Sequence, residues 1–230
     1  MKRTVVLALS VILALVVVAP AASGQVGHGS VASGEARELA AAWWQWALDQ
    51  KTTSESPLVG SYSGGPQCDG RPVTETKGKK FFLAGTGGTG FGEAVTRTCT
   101  VPVGTQIFFP VFNIVDLNVE GAQTEEELQQ EVKGWVDDAL ANANPPLFAT
   151  VDGKPVKMER LDSPSPLFHF TLPEDNPLSP VFGGLVPPGP YVGVTDGVWV
   201  ALPPLSKGTH TIHFGGNGQD NTYKLTVAKK

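Results

Sequence analysis

The chain has 230 residues, with 22 Asp and Glu against 17 Lys and Arg, a formal net charge of −5. This acidic balance argues against nucleic acid and anionic membrane surfaces as partners. Its 27 glycines and 19 prolines favour short strands joined by turns over long helices.

Residues 1–24 read as a secretory signal peptide: Lys2 and Arg3 begin it, Thr4 to Val18 are almost wholly apolar, and Ala19 to Ser23 form a small-residue exit. The apolar run is short for a membrane span, which takes about 20 residues. Cleavage is expected after Ala21 to Gly24. The mature chain is then secreted or periplasmic, with no membrane attachment. Residues 25–33 read as a flexible leader, and 34–230 as one β-rich domain with possible lobes at 34–146 and 147–230.

GEARELAAAWWQWALDQ, residues 34–50, predicts a helix capped by Ser33, with Glu35 and Glu38 near the positive end of its dipole. Leu39, Trp43 and Trp46 share one face. The tryptophans read as a clamp on a sheet, with Trp44 the ring left exposed. The rival reading of such a trio is a sugar-stacking platform, so Trp44 is a candidate ligand contact, together with Phe91 and Trp199.

Cys68 and Cys99 are the only cysteines. In an exported chain they are expected to pair, closing a loop of about 30 residues worth roughly 3–4 kcal/mol. Between them runs GTGGTG, Gly85 to Gly90, a literal G-x-G-x-x-G. A dinucleotide site needs a helix opening at the third glycine and an acidic residue about 20 positions on. Here FGEAVTRTC follows, too short and β-branched for that helix, so no nucleotide is expected.

Gln106 to Val115 contains IFFPVFNIV, a run apolar enough for a buried central strand, in which Pro110 implies a bulge. Asp116 to Glu127 nearly matches the calcium-loop pattern, with Asp116, Asn118, Glu120 and Glu127 as oxygen ligands and Gly121 at the turn. The favoured reading is plainer: a turn feeding a helix over 124–143, with Thr124 and Glu127 as its capping box. A calcium-stabilised module is kept as an alternative.

From Leu147 onward the chain reads as strand and turn. Asp152-Gly153 marks a hairpin. Several short strands at this spacing predict a mainly antiparallel β-sandwich or jelly-roll-like domain with two surface helices. FLAGT, RTCTVPVGTQIFFPVFN, VDGKPV, FTLPEDN, DGVWVALPPL and GTHTIHFGG together resemble a family of secreted bacterial proteins without an assigned activity. The resemblance implies export and a β-rich domain, and carries over no functional residue.

Strand alternation puts His210 on a core face with Ile212 and Phe214, and sends His213 to the opposite face. His169 likewise opposes Phe168 and Phe170. On neighbouring strands, His169 and His213 would meet on one polar face, with Asp196, Glu174 or Asp175 as carboxylate partner, a set suited to general-base chemistry. No G-x-S-x-G or H-E-x-x-H accompanies them. The leading expectation is therefore a non-catalytic protein that binds a polysaccharide or another surface polymer. A polymer-degrading hydrolase or lyase using His169, His213 and Asp196 is the alternative.

Overall fold

The computed structural model describes residues 31–48, 52–71, 79–86, 92–118, 121, 123–176, 178 and 186–229. The signal peptide and residues 25–30 of the leader lie outside these, as do Phe91, Glu120 and Gly87 to Gly90 of the glycine run. Helix α1 (Ser33–Leu48) is followed by β1 (Tyr62–Ser63), β2 (Lys80–Phe82), β3 (Ala94–Pro102) and β4 (Gln106–Leu117). After α2 (Glu125–Ala141) come β5 (Phe148–Val151), β6 (Lys154–Pro155), β7 (Glu159–Arg160), β8 (Phe168–Leu172), β9 (Gly189–Leu202), β10 (Gly208–Gly216) and β11 (Gln219–Ala228).

The strands form a two-layer β-sandwich. The first sheet has the order β1-β3-β11-β10-β5-β6; the second has β2-β4-β9-β7, with β8 also paired to β9. Antiparallel pairs are joined by parallel ones, β1 with β3, β11 with β3 and β2 with β4. Each sheet draws strands from both the 34–146 and 147–230 segments, so those segments share their sheets.

Alternation explains the core. On β9, Val200 and Leu202 point between the sheets, against Phe109, Ile212 and Phe214. Trp199 and Ala201 point the other way, toward α1. Val194 has the parity of Val200 but lies beyond the first sheet, and α2 covers it with Leu128 and Val132. One face of the second sheet thus packs on α1, while the other is divided between the first sheet and α2.

Pro110 acts as its missing N–H requires: the β4–β9 register slips between Pro110 and Phe112, leaving Val111 as the extra residue. Across the bulge, a Cβ on Gly197 would lie 2.3 Å from the Phe112 carbonyl oxygen, so this close approach needs glycine. The Asp152-Gly153 turn joins β5 to β6 with φ of 52° and 75°, the left-handed pair of a tight hairpin. Thr124 and Glu127 form the capping box of α2. Cys68 and Cys99 are bonded, with Cα atoms 5.3 Å apart. No helix among the described residues is long and apolar enough to cross a membrane.

Candidate functional site

Helix α1 is apolar nearly all round: every residue from Leu39 to Leu48 except Gln45 is buried, the pattern of a helix enclosed on several sides. Trp44 is therefore not the exposed ring the spacing predicts. It is 7% exposed, and its Nε1 donates to Thr195 Oγ1 at 2.8 Å. Trp43 Nε1 donates to the Leu83 carbonyl at 2.8 Å, and Trp46 Nε1 to that of Asp69 at 2.5 Å. Each ring buries its surface and satisfies its donor, so the trio is a clamp and not a sugar platform.

Trp199 differs. It is 3% exposed and stacks on Phe108, with centroids 5.0 Å apart and planes 14° from parallel. Its buried Nε1 meets no acceptor among the described residues. Trp199, Phe108 and Ala201 form one wall of a cleft of about 120 Å³. Val31, Ser33 and Ala36, at the start of α1, form a second wall, and Glu159 to Asp162 a third. The first turn of α1 is fixed by Glu35, which pairs at 3.0 Å with the buried Lys80 ammonium.

Arg160 anchors the third wall. Its Nε donates to Asp196 Oδ1 at 3.0 Å, its Nη2 to Asp196 Oδ2, and its Nη1 to Asp137 Oδ1 at 3.0 Å on α2. The Asp196 side chain is 1% exposed and also accepts the Gly197 N–H at 2.6 Å. The fork ties β7 to β9 and α2 and holds the edge of the cleft.

This geometry corrects the proposed His169, His213 and Asp196 set. β8 places His169 in the second sheet and β10 places His213 in the first. His169 is exposed, and Gln45 donates to its backbone carbonyl. His213 Nε2 lies 2.7 Å from Asp220 Oδ1, with its ring edge-on to Phe148. Asp196 is sealed by Arg160. Asp175 is occupied in holding the Thr53 N–H and hydroxyl.

Among the described residues, the calcium set does not converge either. Glu127 Oε2 accepts both the Thr124 N–H at 2.8 Å and its hydroxyl at 2.9 Å, which holds its carboxyl below the ordinary range. Asn118 folds onto Gln123, donating to its carbonyl at 2.9 Å. Asp116 faces Glu131 of α2. Among the described residues, no three His, Cys, Asp or Glu side chains converge to hold a metal ion.

Asp116 gives a testable pH dependence. It is 5% exposed, and its Oδ2 is buried with no donor among the described residues. Burial first, then the Glu131 carboxylate, push its carboxyl from an ordinary 3.8 up to about 6. The folded state therefore holds this proton more tightly than the unfolded chain. The stability linked to it is complete below pH 3.8 and is lost as pH rises through about 6. At about 1.4 kcal/mol per pH unit, the loss reaches up to about 3 kcal/mol. Asp116→Asn is expected to stabilise the protein by that order above the window and to leave it unchanged below. Urea unfolding across the pH range checks this, and equal shifts at both ends would refute it.

The sequence reading missed two further clusters. Arg97, fully buried, donates through Nη1 to the Tyr223 hydroxyl at 3.0 Å and through Nε to the Gly60 carbonyl at 3.1 Å. It also donates to the carbonyl of Ala84, just before the glycine run, and lies over the Tyr62 and Tyr223 rings. Thr86, the second residue of that run, is tied to β11 through Asn221 and Gln219. The described start of GTGGTG is thus a structural seam between the sheets. The second cluster brings His210 beside Asp152 and Ser206. Ser206 and His210 are near in sequence, but only the β5–β10 pairing brings Asp152 to them. No family model, no curated protein and no solved structure matches this chain.

Proposed function

We propose that this is an exported binding protein whose ligand site is the Trp199 cleft, and that it takes a saccharide unit of a surface polymer. The observation that carries the reading is the pair of stacked rings, Trp199 on Phe108, that forms one wall of a cleft also lined by Glu159 and Asp162. The stacked Phe108 and Trp199 rings give an apolar wall, and two acidic residues line the same cleft, Asp162 and the Lys157-paired Glu159, as acceptors a sugar hydroxyl could use. An apolar surface with a few placed polar groups is the general form of a small-molecule site. The acidic net charge argues for a neutral ligand over a polyanion.

Titration of the mature protein with neutral mono- and oligosaccharides, followed by tryptophan fluorescence and calorimetry, tests the reading. Trp199→Phe replaces the indole by a smaller ring and cuts back the stacked wall. It is expected to weaken binding by up to roughly tenfold, because a sugar ring loses part of the apolar area it would cover, at about 1.4 kcal/mol per decade. No saturable binding across the panel, or affinity unchanged by both Trp199→Phe and Asp162→Ala, would sink the proposal.

A further inference from the structure

His210, the third residue of β10, has an oxygen against each ring nitrogen. Its Nδ1 lies 2.8 Å from Asp152 Oδ2, and its Nε2 lies 3.2 Å from Ser206 Oγ. Asp152 is itself oriented, since its Oδ1 accepts the Thr211 N–H at 2.8 Å and its backbone sits in the hairpin turn. The His210 side chain is only 13% exposed, while Ser206 stands exposed on the segment before β10. A hydroxyl within reach of an imidazole, which is in turn held by a carboxylate, is the arrangement that activates a nucleophile.

The same Nε2 lies 3.0 Å from the Ser206 carbonyl oxygen, so the ring has two working states. As imidazolium, Nε2–H donates to that carbonyl and the hydroxyl has no base. As neutral imidazole, the Asp152 carboxylate keeps the proton on Nδ1, and the Nε2 lone pair accepts the Ser206 O–H. We propose that Ser206, His210 and Asp152 form an acyl-transfer site acting on small, exposed acyl esters such as acetyl groups. The site shares no residue with the Trp199 cleft and does not depend on that cleft binding sugar.

In the proposed reaction, Ser206 Oγ attacks the ester carbonyl carbon while its proton passes to His210 Nε2. The C–O bond to the alcohol then breaks, and the departing oxygen takes the proton from Nε2. Water attacks the acyl-serine, giving one proton to Nε2. The acid leaves, and Ser206 Oγ regains that proton as its bond to the acyl carbon breaks. No oxidant or metal is required. Ser206 and His210 touch the reacting atoms, and Asp152 is a positioning residue.

Partial burial lowers the imidazole, but the Asp152 hydrogen bond, the Ser206 carbonyl and the Asp152 charge outweigh it and raise His210 above its ordinary 6.5. Among the described residues, the charged group acting on the ring is Asp152, on which Lys154 acts in turn. The competent form is the neutral one, so activity rises toward alkaline pH with a midpoint above 6.5.

The test is p-nitrophenyl acetate hydrolysis by the mature protein, together with fluorophosphonate labelling mapped by mass spectrometry. The label is expected on Ser206, with a rate that rises with pH. Ser206→Ala and His210→Gln are expected to lose at least about 100-fold in turnover. Asp152→Asn should lower the rate and move the midpoint down, a shift that loss of structure alone does not produce. Circular dichroism of Ser206→Ala, a change at an exposed position, provides the folded control. No label on Ser206 at any pH, labelling undiminished in His210→Gln, or a midpoint unmoved by Asp152→Asn would overturn the proposal.

Discussion

Asp196→Ala is expected to lower the free energy of unfolding by about 3–5 kcal/mol, the cost of breaking a buried ion pair by removing one partner. Asp196 is 1% exposed and engages two nitrogens of Arg160 in a fork. Removing it leaves the Arg160 guanidinium, 27% exposed, without its main counter-charge, and the Gly197 N–H without its acceptor. For a chain of this size, the melting temperature should fall by roughly 6–20 °C. The double change Asp196→Leu with Arg160→Met should recover much of the loss, because a well-packed apolar pair avoids desolvating two charges. Urea denaturation of the two variants beside the unchanged protein decides it. A loss below about 1 kcal/mol for Asp196→Ala, the range of exposed pairs, would refute the anchoring role.

Replacing Cys68 and Cys99 together by alanine is expected to cost roughly 3–4 kcal/mol on the chain-entropy model. The bond spans 31 residues and ties a short 3-10 turn, Pro66–Cys68, to the middle of β3, where Cys99 is 3% exposed. The effect acts on the unfolded chain, which gains freedom and exposes more surface once the link is gone. Two readouts should therefore move together: the midpoint falls and the denaturant slope rises. A fall in midpoint with an unchanged slope would place the cost in the native state instead.

Local features were legible in the residues. Two cysteines leave one pairing. Proline inside an apolar strand forces a bulge, Asp-Gly forms a tight hairpin, and T-x-x-E caps a helix. Each is set by contacts within a few positions, so sequence spacing is sufficient. The candidate site was less legible. Trp199 was among the aromatic candidates, but nothing near it in sequence indicates that its N–H is left without an acceptor. Trp44 lies off the apolar stripe of Leu39, Trp43 and Trp46, yet it is buried because β8 and β9 both flank α1. Periodicity describes one face of a helix and not how many neighbours enclose it.

The sequence by itself determined the sandwich class, both helices, the disulfide and the opposite orientation of His210 and His213 on their strand. Only the tertiary structure decided which of these groups meet. Alternation fixes the side of a strand that a residue faces, but strand order fixes its neighbour. β8 joined the second sheet and β10 the first, which parted His169 from His213. The β5–β10 pairing brought Asp152 to His210, residues 58 apart in the chain. The bulged β4–β9 pair and the fork of Arg160 on Asp196 set the walls around Trp199. Such encounters depend on the global path of the chain, which spacing along the sequence does not encode.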